Sequence, residues 1–287
     1  MPRLFITALA CLISVSVFGQ IPFPSGSKIL CLGDSRVEGS ETYDSYRYEL
    51  WKDLIDCSWD FDFVGTEIDP ILYPSYQNNT FDENHQGIGG HTTYDVLSEL
   101  PYVLSDIGIV DIVLICTGGN DALNEGSSSI PDALENINSI IELLQSNNPQ
   151  VLILIEQIAP GLNSMMTSDL TQALYTLNSG IEQLADNQTT ITSNVIAIDM
   201  SYEWQDSYLA DDVHYNSIGA EIVATRYTDA LKTIYQCNSV NSIQGLQKEK
   251  SIVNTFNLSG REVNHTTNQI LFHIYDDGSV EKKFTVE

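Results

Sequence analysis

Short apolar runs punctuate the chain, and between them apolar residues recur every third or fourth position. The runs at 28–32, at 109–116 with only Asp111 interrupting, at 151–158 and at 195–198 read as buried parallel strands. Phe61, Phe63 and Val64 alternate with Asp60 and Asp62 before Gly65 and add a short strand. Helical spacing appears over 45–55 (Tyr46, Leu50, Leu54), 94–104, 130–147 (Ile130, Leu134, Ile137, Ile141, Leu144) and 168–185 (Leu170, Leu174, Leu177, Ile181, Leu184). A last helix is expected over 217–235, capped by Ser217, with Ile218, Ile222, Val223, Tyr227 and Leu231 inward. Strands alternating with helices predict a flavodoxin-like three-layer α/β/α fold around a five-stranded parallel sheet. Residues 67–90 have no period and read as a long loop, which in a compact domain goes with function. After a polar linker at 237–251 the pattern shifts to short runs on either side of Asp276-Asp277-Gly278. That is a hairpin signal, and it marks residues 252–287 as a small C-terminal β appendage.

The first 19 residues carry a different pattern. Arg3 is followed by an apolar run to Phe18 and then Gly19, which reads as a secretory signal with Gln20 as the first mature residue. The run is short for a membrane span, and none is expected in the mature protein. Of the 287 residues, 39 are acidic and 12 basic, a formal net charge of −27. A field of that sign repels phosphate backbones, so nucleic acid is not an expected partner. Beyond the signal, Cys31 and Cys116 fall in strand runs as buried thiols. Cys57 and Cys237 each follow a helix; the first and last helices of a doubly wound sheet often share a face, so these two are the preferred disulfide. No Cys-x-x-Cys or His-rich spacing points to a metal.

Four polar clusters lie at or beside strand ends, where open α/β sheets bind ligands. They are Gly33-Asp34-Ser35, Gly87-Ile88-Gly89-Gly90, Thr117-Gly118-Gly119-Asn120-Asp121 and Asp211-Asp212-Val213-His214. Taken singly, each has an ordinary explanation: Ser35 as a helix cap, the glycines as a flexible turn. Taken together they supply the parts of an acyl transferase to water. Ser35 is the candidate nucleophile and His214 the base, oriented by Asp211. The N–H groups of Ser35 and Gly90 and the Asn120 amide are candidate oxyanion donors.

These four blocks, in this order and spacing over most of 28–236, resemble those of the SGNH (GDSL-like) hydrolase superfamily. The resemblance implies the same roles for Ser35, Gly90, Asn120, Asp211 and His214, with Gly87 the other candidate for the glycine. Gly33-Asp34-Ser35-Arg36-Val37-Glu38-Gly39, Ser45-Tyr46-Arg47-Tyr48-Glu49-Leu50, Phe61-Asp62-Phe63-Val64-Gly65 and His85-Gln86-Gly87 look like family 3 carbohydrate esterases. That group is associated with removing acetyl groups from xylan, without a cofactor. Arg36-Val37 departs from the small polar pair many relatives carry, which bears on acceptor specificity. His85, His91 and Asp34 are read as structural. Trp204 and Tyr208 are either a sugar-stacking wall or core.

In the tail, residues 257–263 and 275–283 resemble a C-terminal sorting domain of the type IX (Por) secretion system of Bacteroidetes. The expectation is a secreted or cell-surface esterase at 20–236, acting on acetylated polysaccharide and exported through that machinery. The rivals are a lipase- or thioesterase-like hydrolase of other acyl esters and a non-catalytic glycan-binding module.

Overall fold

The computed structural model describes residues 20–69, 71–238, 252–257, 261–263, 270–275 and 280–284. The expected signal at 1–19, most of the linker, and positions 258–260 and 276–279 of the two tail motifs lie outside the described residues. The chain divides into two units, Met1–Asn238 and Ser239–Glu287.

In the first unit, strand β1 (Ser27–Gly33) is buried except at Lys28. It leads into a one-turn helix α1 (Ser35–Glu38), then α2 (Arg47–Asp56), β2 (Phe61–Val64), β3 (Glu67–Ile68) and β4 (Asn84–Gly87). The chain continues through α3 (Thr93–Ile107), β5 (Ile112–Cys116), α4 (Gly119–Glu125), α5 (Ile130–Asn147), β6 (Leu152–Gln157), α6 (Ser168–Gln188), β7 (Val195–Asp199) and α7 (Ser217–Ile234). Strands β2, β1, β5, β6 and β7 lie side by side and all parallel, the expected five-stranded core. Helix α2 packs with α7, and α3, α5 and α6 pack in succession, so helices flank the sheet.

Two short strands were not expected. β4 runs parallel to β1 beyond the end of β2, pairing Leu32 with Gln86 and Gly33 with Gly87, and β3 adds antiparallel to β4. They fall within the stretch read as a loop. Their pattern is hidden because the side chains β4 buries are polar. His85 meets Asp69, and Gln86 Oε1 accepts from the N–H and hydroxyl of Thr66 at 3.1 and 2.8 Å. Polar groups so paired can be buried without an apolar signature.

Three other expectations are corrected. The strand expected over 109–116 begins at Ile112, with Ile109 exposed and the Asp111 carboxylate accepting the Lys28 N–H at 2.9 Å just ahead of it. The α7 cap is Asn216, whose Oδ1 accepts from the N–H groups of Ile218 and Gly219; Ser217 is already helical. That phase turns Gly219, Ala220, Val223, Tyr227 and Leu231 inward and leaves Ile218 53% exposed. The cysteines are as expected: Cys57 and Cys237 form a disulfide, and Cys31 and Cys116 are buried free thiols. Cys237, placed by the sequence reading at the start of a linker, is thus tied to the end of α2.

The second unit is a three-stranded antiparallel sheet of β8 (Ile252–Asn257), β9 (Ile270–Tyr275) and β10 (Val280–Phe284) with β9 central. The expected hairpin is β9–β10, and β8 is added to it. Among the described residues no helix is long and apolar enough to cross a membrane.

Candidate active site

The site begins where β1 stops. At Gly33 the β5 backbone passes so close that a Cβ would lie 2.0 Å from the Cys116 carbonyl oxygen. The chain can turn there only because glycine has no side chain. Asp34 caps the turn: its Oδ1 accepts the Arg36 N–H at 3.0 Å, and its carbonyl accepts from Val37 and Glu38. Ser35 is therefore the first helical residue and not the cap. Among the described residues no acceptor takes the Ser35 N–H, as is usual for a first-turn amide. Burial pushes the Asp34 carboxyl up, against the opposing effect of the Arg36 N–H and guanidinium.

Arg36 turns inward. Its Nε donates to the Val213 carbonyl at 2.9 Å and its Nη1 to the Ala159 carbonyl at 2.8 Å, with the guanidinium 5.0 Å from the Tyr215 ring centre. The departure at Arg36 thus ties the nucleophile turn to the loop after β6 and to the loop before α7.

That second loop carries His214. Its Nε2 lies 2.8 Å from Ser35 Oγ, across 179 positions of sequence. Its Nδ1 faces the Asp211 carboxylate, 2.8 Å from Oδ2 and 3.0 Å from Oδ1. A carboxylate only accepts, so Nδ1 carries the proton and Nε2 is left to accept from Ser35. Asp211 Oδ1 also accepts the N–H groups of Val213 and His214 at 3.0 and 2.8 Å. Partial burial alone would push the Asp211 carboxyl up. The two amides and the imidazole outweigh it and hold the group below the usual carboxylate range. The ring of Tyr43 stacks on the imidazole, centres 3.9 Å apart and planes 11° from parallel.

The glycine loop is drawn to this point by β4 and by the Ile88 N–H, which donates to the Gly33 carbonyl at 3.1 Å. Of the two glycines left open, Gly87 is packed against α1: a Cβ there would come within 2.5 Å of the Glu38 nitrogen. Gly90 has φ +82° and nothing within 4 Å of its Cβ position, so open space lies in front of it. A Cβ on Gly89 would stand 3.9 Å from that of Ser35. Asn120 donates through Nδ2 to the His91 carbonyl at 2.9 Å, which secures its amide to the Gly90 loop with one N–H to spare. Asp121 braces the same region by accepting from the N–H and hydroxyl of Thr93 at 2.9 and 2.7 Å. Ser35 and Asn120 line one cavity of about 30 Å³.

All five sequence-selected residues thus lie at one rim of the sheet, Ser35 and Asn120 in the first turns of α1 and α4 and Gly90, Asp211 and His214 in loops. The bystanders have structural partners. His85 accepts the Gly87 N–H on Nδ1 at 3.0 Å and meets Asp69 through Nε2 at 3.3 Å. His91 is 3.9 Å from Glu99. Trp204 is half-buried, edge-on to Tyr208 and Tyr215 at 5.4 and 5.5 Å. Tyr43 was missed; it lies in a turn with no period, and nothing local marks it. The clamp formed by Arg47 was missed as well. Buried at the start of α2, it donates to the carbonyls of Val37 and Glu38 at 2.7 and 2.8 Å and pairs with Asp69. Among the described residues no group of three or more His, Cys, Asp or Glu could hold a metal ion.

The sequence profile of the GDSL-like Lipase/Acylhydrolase family matches residues 31–222. No curated protein matches the chain in sequence. A carbohydrate esterase family 3 structure from Talaromyces cellulolyticus is 25% identical, with TM-score 0.61, covering 72% of this chain and 96% of that one. A family 3 carbohydrate esterase from Clostridium thermocellum is 22% identical, with TM-score 0.57, covering 72% and 98%. An acetyl xylan esterase is 20% identical, with TM-score 0.52, covering 71% and 98%. The last two likenesses show the fold alone.

Proposed function

The chain belongs to the GDSL-like lipase/acylhydrolase family, and from that premise we propose that it is a secreted serine esterase removing acetyl or other short acyl groups from a polysaccharide such as xylan. The observation that carries the proposal is the unbroken line from Asp211 through His214 to Ser35 Oγ, each link 2.8 Å. In this reading Ser35 attacks the ester carbonyl while His214 Nε2 takes its proton. Oxygen charge is met by the N–H groups of Ser35 and Gly90 and the remaining N–H of Asn120, each such donor lowering the barrier by roughly 3 to 4 kcal/mol. The imidazolium gives the proton to the sugar oxygen as the bond from the carbonyl carbon to it breaks, so the sugar leaves as an alcohol, and water activated by the same ring releases the acid from the acyl-enzyme.

The likeness to the Talaromyces cellulolyticus family 3 carbohydrate esterase supports a carbohydrate ester as substrate. Export rests on sequence features alone: the signal pattern at 1–19 and the sorting-domain resemblance over 252–287 assign residues 20–236 to the catalytic domain of an extracellular protein. Two assays test the proposal. A serine-directed phosphonate should label the wild type and not Ser35→Ala. Acetylated xylan should release acetate faster than long-chain p-nitrophenyl esters are cleaved. A labelled Ser35→Ala, or faster turnover of long chains, would overturn it.

A further inference from the structure

Resting on the esterase reading, we propose that the cavity beside Ser35 is the acyl pocket and that Met165 and Met166 set the longest acyl chain the enzyme accepts. Three directions leave an ester carbonyl attacked by Ser35. The carbonyl oxygen must face the Asn120 and Gly90 donors. The alkoxide oxygen must face His214 Nε2, which protonates it. The acyl substituent takes the direction that remains. The cavity lies on that side: Ser35 and Asn120 line it, and the His214 ring does not. Its other walls are mostly apolar, Leu123, Ile158, Met165, Met166 and Leu174 among them; Asp34 is the one carboxylate on it, and its Oδ1 is engaged by the Arg36 N–H. Arg36 also borders it, but its Nε and Nη1 donate to the Val213 and Ala159 carbonyls, so its charge is engaged within the protein. Such a surface suits a hydrocarbon chain and not a sugar hydroxyl.

The methionine wall is anchored to the catalytic loop. The Leu162 N–H donates to the Asp212 carbonyl at 2.8 Å, the Asn163 N–H to the Asp206 carboxylate at 3.1 Å, and the Met165 N–H to the Leu162 carbonyl at 3.0 Å. The Met165 sulfur lies so close to Gly161 that a Cβ there would be 2.7 Å from it. The wall therefore belongs to the same unit as the imidazole turn. The cavity measures about 30 Å³, which at roughly 10–15 Å³ per water-sized group holds two or three such groups. Acetyl through butyryl chains are therefore the ones expected to seat fully, and a hexanoyl chain is expected to press on the two methionines. Methionine bends more readily than other apolar side chains, so the limit is graded.

The test is the ratio of kcat/KM on p-nitrophenyl hexanoate to that on p-nitrophenyl acetate, a ratio independent of the fraction of protein that is folded. In the wild type, kcat/KM should fall by at least about 10-fold between butyrate and hexanoate, the low end for a methylene a pocket cannot accept. Met166→Ala, or Met165→Ala with it, shortens the wall and should raise the hexanoate-to-acetate ratio by about 10-fold or more. Leu123→Phe narrows the cavity from its half-exposed rim and should lower the butyrate-to-acetate ratio, so one variant suffices if the other does not fold. Unchanged ratios in a folded variant of either kind, with the wild type active on acetate, would overturn the pocket assignment alone. A wild type inactive on every ester and not labelled at Ser35 would overturn the esterase reading and the pocket with it.

Discussion

Replacing Asp211 by asparagine isolates the orientation of the imidazole with little disturbance to the fold. Oδ1 accepts the N–H groups of Val213 and His214 at 3.0 and 2.8 Å, and these two bonds close the turn before α7. An asparagine keeps both only by presenting its carbonyl oxygen there. Its NH₂ then stands where Oδ2 stood, 2.8 Å from Nδ1. A donor now faces Nδ1, the ring proton moves to Nε2, and Nε2 donates to Ser35 Oγ where it previously accepted from it. The turn survives and the base is lost. In serine hydrolases of the same geometry the wrong tautomer costs about 10⁴ in kcat when the orienting carboxylate is buried. The Asp211 side chain is half exposed, so water competes for the ring and a loss of about 10³ is expected, some 4 kcal/mol of barrier. The assay is steady-state hydrolysis of p-nitrophenyl acetate at neutral pH by Asp211→Asn, with thermal melting in parallel. The melting temperature should move by less than about 4 °C, the effect of roughly 1 kcal/mol in a domain of this size. A folded Asp211→Asn protein within about 10-fold of wild-type kcat, far above the expected loss for a misplaced proton, would refute the claim that Asp211 sets the tautomer.

Tyr43→Ala removes the ring stacked on His214 and should lower kcat/KM by about 2- to 10-fold, the equivalent of a ring pair worth roughly 0.5–1.5 kcal/mol, while Tyr43→Phe should stay near wild type in the same kinetics. Arg47→Ala strips a buried carboxylate, Asp69, of its guanidinium and takes the donor from the Glu38 carbonyl, while the Ser45 hydroxyl still donates to the Val37 carbonyl at 2.7 Å. It should cost about 3–5 kcal/mol in urea unfolding. Glu156 is wholly buried, and that burial pushes its carboxyl from 4.5 to about 7, against hydrogen bonds from Tyr227 and Cys116 and the Arg36 charge. The folded protein therefore holds this proton more tightly than the unfolded chain, and the group's stabilising contribution declines as pH rises from 4.5 to about 7, by on the order of 3 kcal/mol. Unfolding free energy measured across that window should be flatter in Glu156→Gln, and an equal slope would contradict the assignment. The Cys57–Cys237 bond joins residues 180 positions apart, so loop entropy puts its worth at about 5 kcal/mol. Reductant should destabilise the wild type and leave a Cys57→Ser, Cys237→Ser double variant unaffected.

Much of the fold was legible because its signals are local. Four of the five parallel strands are apolar runs, β2 alternates apolar with acidic residues, and their helices carry apolar stripes, as in α5, where expectation and structure both give 130–147. The errors occurred where the deciding partner is distant. β4 escaped notice because Asn84-His85-Gln86-Gly87 buries polar side chains that Asp69 and Thr66 satisfy. The α7 cap was misplaced by one residue because Ser217 and Asn216 are both good caps, and only packing selects the phase. The candidate site was legible for a different reason. Ser35, Gly90, Asn120, Asp211 and His214 are chemically distinctive residues at strand ends, and their order along the chain resembles a known set of blocks. Tyr43 has no such mark, and Arg36 and Arg47, though they stand in stretches that carry the resemblance, show what they hold only with their partners.

By itself, the order of apolar and polar residues determined which segments bury themselves, hence the strands, the helices and the rim where polar loops gather. Only the tertiary structure decided that the His214 ring reaches Ser35 across 179 positions, that Arg36 turns inward to clasp two neighbouring loops, and that two methionines line a cavity beside the nucleophile. The physical reason is range. The tendency to form a strand or a helix, and the side of it that is buried, are set by residues a few places apart, whereas a contact between loops depends on how every crossover between them stacks the strand ends, which no short stretch of sequence encodes.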